Sequence, residues 1–556
     1  MQDDQLVSHP GIPAALPTVQ PRSLVDQITA VALRVSPLRL GLVQVLFAFV
    51  LSTLMLSLPA RQPGFMGVVN NANGPRAYHR LFIWRNELGT LGERLSGLGI
   101  STDYFIWFVR GSHVLLALIQ VLAIWALVSH YKRTGTVDSL WKWLAGPVLS
   151  MAVLLLYPPL CSDVFFYITS GAIANGGGNP YEAPIRVNFD APLLYLNDWA
   201  GIASPYGPIW TDLCRTIVAI FGDHFLPGIF GFRFLAIASV FALLFMIYRL
   251  TMQLLGDRNF ALGAVIATAW MPTLIFETST GAHNDAIMLS LALGGLLIMT
   301  SRKRGSTRLG IALIAISALL KYVTVPLLGF ALLWRLADRK RDESMRVVVK
   351  QWVIDAVMIL GLAIAAFAPY WAGPQIFDSL IAQPTRGVST SLWILPHKFT
   401  ERMWGYSAGQ KFDNVLGYVT LSFLLPVFAL TFVWLWRQMN AFHGDDGLSD
   451  SGVTRDRRLL VQLQAWMIPV GLLPTVPVDG HNWYMIWSYG PFFILMAWLT
   501  KRTWAGVKST GEGESKGTGE GQVPGWIERL GPAKITAIFL AWSLFNVLMY
   551  HTRTLG

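Results

Sequence analysis

Long apolar runs alternate with short polar strings along most of the chain. Residues 40–58, 115–129, 235–250 and 535–550 carry almost no charge, and several approach the roughly 20 apolar residues that cross a bilayer core. The strings between such runs are often basic: Tyr131-Lys132-Arg133, Arg302-Lys303-Arg304, Arg339-Lys340-Arg341 and the stretch from Arg455 to Arg458. Cytoplasmic loops carry this excess of Lys and Arg. The pattern predicts an all-α, polytopic integral membrane protein.

With segment 1–39 in the cytoplasm, charge bias and parity thread the chain through about 13 crossings. The spans fall at 40–58, 104–129, 141–160, 232–255, 260–277, 286–300, 353–370, 415–436, 460–474 and 483–498, with a last helix in 531–556. Basic residues flank 309–336 on both sides, so it reads as a hairpin with Lys321 and Tyr322 near its outer tip. Residues 208–221 are too few for an ordinary span and carry Asp212 and Arg215, which predicts a partial or surface-lying helix. Residues 40–502 then make up the transmembrane domain, with extracytoplasmic loops at 161–207 and 371–413. The Gly-, Ser-, Lys- and Glu-rich stretch 503–530 reads as a flexible cytoplasmic linker. The polar N-terminal segment predicts no cleavable signal peptide before the first span. On this threading Asp163, His283-Asn284-Asp285, Lys321 and His481 share the extracytoplasmic side of the plasma membrane.

Composition supports the membrane reading. Of 556 residues, 53% are hydrophobic and 13% charged, a mixture that would leave a soluble domain with large apolar areas in water. The net charge of +11 sits in loop strings between spans, which excludes nucleic acid as a partner and leaves the lipid bilayer. Cys161 and Cys214 can pair only if both face an oxidising compartment; two buried thiols is the plainer reading.

Several polar groups stand out against this background. Asp163 lies at the mouth of a span, with Tyr167 one helical turn later on the same face. A carboxylate there can take a proton from a hydroxyl, or it or Ser162 can cap the following helix, which is the commoner use. Downstream, Gly176-Gly177-Gly178-Asn179-Pro180-Tyr181 forms a permissive turn ending in a ring, and Ser204-Pro205-Tyr206-Gly207-Pro208 opens the short helix. Aromatic side chains at such turns suit sugar stacking or an interfacial belt. His283-Asn284-Asp285 opens a span, and three polar residues exceed what one cap needs. Lys321 either snorkels to the interface or contacts a phosphate. Glu277 is either a second carboxylate near His283 or neutralised by burial. Asp212 and Arg215 can pair across a turn, and His481 can be a plain interfacial group.

Taken in order, Asp163-(x)3-Tyr167, Gly178-Asn179-Pro180-Tyr181, Pro205-Tyr206-Gly207-Pro208, His283-Asn284-Asp285, Lys321-Tyr322-Val323 and Asn482-Trp483-Tyr484 form a recognisable set. It resembles the polyprenyl-phosphate-sugar-dependent glycosyltransferases of the GT-C superfamily, most of all the actinobacterial α-1,6-mannosyltransferases that extend lipoglycan mannan cores. The likeness spans 140–498. It implies a GT-C fold, a polyprenyl-phosphate-mannose donor, a glycan or glycolipid acceptor, inversion at the anomeric carbon, and no metal or other cofactor. Asp163 then matches the catalytic base. The implied substrate-binding set is Tyr167, Asn179, Tyr181, Tyr206, His283, Asn284, Asp285, Lys321, Arg386, His481, Trp483 and Tyr484. A phosphate leaving group needs electrostatic stabilisation more than protonation, which Lys321, Arg386, His397 or Lys398 can supply.

Two other classes share the outline. A transporter or lipid-linked sugar flippase would place polar residues near the midplane and often shows internal repeats. Here the polar clusters sit at span ends, and the halves show no repeat. A glycan polymerase or ligase would take a diphosphate donor through a large outer loop rich in Arg and His, which 371–413 only partly resembles.

Overall fold

A computed structural model describes residues 36–57, 102–155, 159, 162–188, 197, 199–222, 225–301, 303, 305–339, 343–378, 394–441, 452–472 and 486–509, with isolated positions 538 and 541. The helices in chain order are α1 (Pro37–Ser57), α2 (Thr102–Thr134), α3 (Leu140–Leu154), α4 (Asp163–Asn175), α5 (Ile185–Asn188), α6 (Pro208–Phe221) and α7 (Phe225–Leu255). They continue with α8 (Arg258–Ala269), α9 (Pro272–Ser279), α10 (Asp285–Met299), α11 (Ser306–Leu320), α12 (Val325–Leu332), α13 (Trp334–Asp338) and α14 (Met345–Phe367). The last are α15 (Ile394–Trp404), α16 (Tyr406–Ala441), α17 (Gly452–Leu472) and α18 (Ile486–Ser509), and no strand occurs among the described residues. The protein is a helical, multi-pass membrane protein. Four described helices are long and apolar enough to cross a bilayer, or five if a bent pair is one span; α3, α10 and α11 are apolar but shorter. The described residues therefore do not reach the expected count of about 13.

Hydroxyls inside these apolar helices are satisfied within their own turn. Ser150, Thr169, Thr251, Thr268 and Ser290 each donate to the carbonyl four residues earlier, which lets them sit in a bundle without water. Small residues bring backbones together, as where Gly41 meets Gly146, Gly171 meets the carbonyl of Cys214 and Gly295 meets Gly310.

Polar contacts link the chain turns at one end of the bundle. Val137 donates to Asn259 Oδ1 at 2.8 Å, Lys501 lies 4.0 Å from Asp257, and Gln253 donates to Asp456 at 3.1 Å. Arg458 then pairs with Asp338 at 3.1 Å, and Thr307 donates to the same carboxylate at 2.7 Å. The last contact closes the hairpin: the first turn of α11 meets the end of α13, as the basic flanks of 309–336 predict. Lys303, Arg339 and Arg457 border this end. Fully buried Asp355 anchors it further, paired with Arg308 at 3.0 Å and Arg335 at 2.7 Å. Lys321, Asp285 and Trp487 lie at the far ends of α11, α10 and α18, about 20 Å away at ~1.5 Å per residue. The described residues of the basic strings and the candidate site thus occupy opposite ends.

The helix expected to follow Asp163 is found as α4, within segment 161–207, with its apolar run from Val164 to Ile168 buried on both sides. Two expectations change. The span expected at 260–277 is broken into α8 and α9, bent by 58°. Met271 is extended and Pro272, lacking an N–H, starts a new helix instead of continuing the old one. Finally, α18 runs to Ser509, into the first residues of the expected linker.

The short helix predicted at 208–221 is found as α6, buried against α4 and exposing Ile220 and Phe221. Its entry is set by Gly207, whose N–H donates to Leu320 O at 3.1 Å. A Cβ on Gly207 would lie 1.9 Å from Leu319 O and 2.4 Å from Leu319 C. Backbone atoms cannot swing aside, so Gly207→Ala should destabilise the protein by about 1–3 kcal/mol. A lowered thermal-unfolding midpoint of the purified protein checks this; an unchanged midpoint contradicts it.

Candidate functional site

Asp163 is the first residue of α4, and only 3% of it is exposed. Loop residues cover it. Its carboxylate accepts from Trp199 Nε1 at 2.9 Å on Oδ1 and from Tyr206 Oη at 3.2 Å on Oδ2, with His283 Nδ1 3.4 Å from Oδ2. Ser162 stands at the N-cap but makes no side-chain cap bond. The capping use weighed for Ser162 and Asp163 is not the one found. Tyr167 shares Asp163's helical face as predicted: its hydroxyl is 3.3 Å from that of Tyr206, and its ring packs edge-on against Tyr206 and Trp210.

His283 is fully buried between two carboxylates, with Nε2 3.1 Å from Glu277 Oε2. Glu277 is therefore a second carboxylate beside His283. The turn that sets this ring is tight: Ala282 has φ +56°, the left-handed region that favours glycine. A Cβ on Gly281 would lie 2.7 Å from the imidazole, so glycine makes room for the ring. Asn284 stands at the N-cap of α10 without a side-chain cap bond, and buried Asp285 is the first helical residue.

Asp285 Oδ1 accepts from Lys321 Nζ at 2.7 Å and also from Trp487 Nε1. The same ammonium reaches Asn284 Oδ1 at 3.3 Å and lies over the rings of Tyr206 and Trp487, 5.8 and 5.5 Å from their centroids. Lys321 is 12% exposed at its side chain and points inward, so it does not snorkel. Asp285 Oδ2 and Asn284 Nδ2, both buried, find no partner among the described residues. Together they offer an acceptor and a donor, the complement of a hydroxyl.

Asn179 and Tyr181 form a layer behind Tyr206. Asn179 accepts from Tyr181 N and donates to Tyr370 O at 2.8 Å; Tyr181 Oη donates to Tyr206 O at 2.9 Å and meets Thr211 Oγ1 at 2.7 Å. Burial pushes the Tyr181 phenol well above its usual range, so it remains a neutral hydroxyl. Asp212 accepts from Tyr370 Oη at 2.6 Å. Cys214 is a buried free thiol. His397 lies 3.7 Å from Glu401, one turn along α15. Arg386, His481, Asn482, Trp483, Tyr484 and Cys161, with the side chain of Lys398, lie outside the described residues. Among the described residues no group of His, Cys, Asp and Glu side chains converges as metal ligands; Asp163 and Glu277 contact opposite nitrogens of one ring.

Sequence reasoning missed Trp199 and Trp487, which donate to the two buried aspartates, and Arg233. The signal for the tryptophans was slight: an indole in a polar loop, and one just beyond the Asn482-Trp483-Tyr484 motif.

A multi-pass helical bundle with a buried, multiply hydrogen-bonded acidic site at one end is the class that fold and site define. Residues 91–338 match the family model described as "Alpha-(1->6)-mannopyranosyltransferase, N-terminal domain". The chain is 28% identical over 184 residues to alpha-(1->6)-mannopyranosyltransferase A of Corynebacterium glutamicum, covering 33% of this chain and 36% of that protein. It is 24% identical over 398 residues to a probable alpha-(1->6)-mannopyranosyltransferase of Mycolicibacterium smegmatis, covering 64% of each. With alpha-(1->6)-mannopyranosyltransferase B of C. glutamicum the identity is 27% over 258 residues, 39% of this chain and 41% of the relative. These alignments span a third to two thirds of the relatives' own lengths. An archaeal oligosaccharyltransferase from Archaeoglobus fulgidus aligns over 81% of this chain and 56% of its own at a TM-score of 0.34 and 11% identity, too slight to argue from. The likeness to actinobacterial α-1,6-mannosyltransferases read from the motifs is borne out, and the matched segment holds Asp163, His283 and Lys321.

Proposed function

We propose that this protein is a membrane glycosyltransferase that moves a hexose, mannose, from a polyprenyl-phosphate donor to a glycan or glycolipid acceptor. The reaction takes place on the extracytoplasmic side of the plasma membrane. The observation that carries the reading is the setting of Asp163, a buried carboxylate held by Trp199, Tyr206 and His283 at the end of the bundle away from the basic strings.

In the proposed reaction an acceptor hydroxyl oxygen attacks the anomeric carbon from the face opposite the phosphate. Asp163 takes the hydroxyl proton, the new C–O bond forms, and the bond to the phosphate oxygen breaks with its electron pair leaving on polyprenyl phosphate. That displacement inverts the anomeric carbon. Trp199 and Tyr206 keep the carboxylate aimed, and the imidazole lies between Asp163 and Glu277, 3.4 and 3.1 Å from them. Lys321, paired with Asp285 and lying over the Tyr206 ring, supports the departing phosphate. Asn284 and Asp285 supply the donor and acceptor that read a sugar hydroxyl.

The test is transfer of radiolabelled sugar in sealed vesicles of both orientations. The expected result is label from polyprenyl-phosphate mannose on a membrane-impermeant oligosaccharide acceptor, with inverted configuration, only where the Asp163 end faces the acceptor. If no donor labels any acceptor in either orientation, the reading is wrong. Movement of intact labelled lipid without transfer would support a flippase instead.

A further inference from the structure

We infer that Arg233 is a positioning residue whose guanidinium ties together, in one clamp, the ends of the two helices that precede Asp163 and His283 in the chain; the inference rests on the function proposed above for those residues. Arg233 lies near the start of α7, in a stretch apolar enough to span the membrane, and is fully buried. An ionised side chain in such a place costs several kcal/mol unless its surroundings repay it. Here two backbone carbonyls do so. Arg233 Nη1 donates to Leu155 O at 3.0 Å, and Nη2 donates to Thr280 O at 3.0 Å.

Both acceptors are the residues that close helices: Leu155 ends α3 and Thr280 ends α9. Carbonyls there lack partners within their own helix and lie at the negative end of the helix dipole. A cation between two such ends is stabilised by both. Each of the two helix ends leads into the site. Beyond Leu155 the chain reaches Asp163; beyond Thr280, the turn through Gly281 and Ala282 sets His283, Asn284 and Asp285. The His283–Asp163 contact is 3.4 Å, so a small shift of either helix end would open it. The left-handed Ala282 adds strain at this turn, which an anchor on Thr280 opposes.

The chemistry specifies Arg. A planar guanidinium presents parallel N–H groups to two acceptors at fixed spacing, whereas an ammonium is a point charge on a flexible stem. Arg233→Lys keeps the charge and loses the fork. Arg233→Gln, a shorter neutral donor, serves as the second variant.

The experiment compares wild type, Arg233→Lys and Arg233→Gln as full-length protein in lipid nanodiscs, by backbone hydrogen exchange and by sugar transfer. In either variant that keeps its fold, amides at 162–166 and 280–285 should exchange faster together, with α16 unchanged. Arg233→Lys should lower kcat by roughly 100-fold while the donor KM moves by no more than about twofold. Exchange unchanged at both turns, or raised equally throughout the chain, overturns the inference. So does a Lys variant with wild-type kcat. The exchange measurement stands even if wild type transfers no sugar, in which case the functional reading fails and the clamp is judged separately.

Discussion

Asp163→Asn lowers kcat by roughly a thousandfold while leaving donor affinity almost unchanged. The substitution keeps the shape of the side chain, and Trp199 Nε1 can still donate to a carbonyl oxygen at Oδ1. What is lost is the basic oxygen facing Tyr206 and His283. A loss confined to kcat marks a group used in the transition state, whereas a loss shared with donor affinity would mark a binding contact. The measurement is steady-state transfer beside donor binding by titration, with the unfolding midpoint as a control. Full activity in the Asn variant would remove the base from Asp163, whatever the family likeness.

Asp285→Ala should destabilise the protein by about 3–5 kcal/mol, because it leaves Lys321 as a buried cation without its carboxylate. Trp487 Nε1 loses its acceptor in the same step. Removing both charges in Asp285→Ala/Lys321→Met should restore much of the stability, since an absent pair costs far less than a broken one. The double variant then separates two roles. If it is stable but inactive, the pair serves the reaction, through Lys321 at the phosphate or Asp285 at a sugar hydroxyl. If it is stable and active, the pair serves only to join α10 to α11. The unfolding midpoint and the transfer rate, measured together, decide between them. A single variant as stable as wild type would contradict the buried-pair reading.

Most of the scaffold was legible because a bilayer imposes simple rules. Apolar runs marked α1, α2, α7 and α14, and the basic strings marked one end of the bundle. The hairpin of α11 to α13 came from basic flanks alone, and the Thr307–Asp338 contact closes it. Within the site, Asp163 and Tyr167 share a face because helix geometry is local. The rest depended on contacts between distant segments. Nothing near Asp163 signals that Trp199 and His283 will cover it. Trp487 and Arg233 act on segments far away in sequence, and no local periodicity encodes such pairings. The break between α8 and α9 falls at Pro272, inside an apolar run that reads as one span.

The uneven packing of the bundle has a practical side. The helix pairs that carry the site, α4 with α6 and α10 with α11, approach backbone to backbone at Gly171 and at Gly295 and Gly310. Inside a membrane such contacts do not rely on water for their strength. By contrast, only 6% of the apolar window in α14 and 17% of that in α16 is buried within the protein. In a multi-pass membrane protein, apolar helix faces left this open are the ones that annular lipid covers. Delipidation during purification will therefore loosen the α14 and α16 rim before it reaches the carboxylates, and a preparation can lose its lipid-facing wall while its acidic site stays assembled.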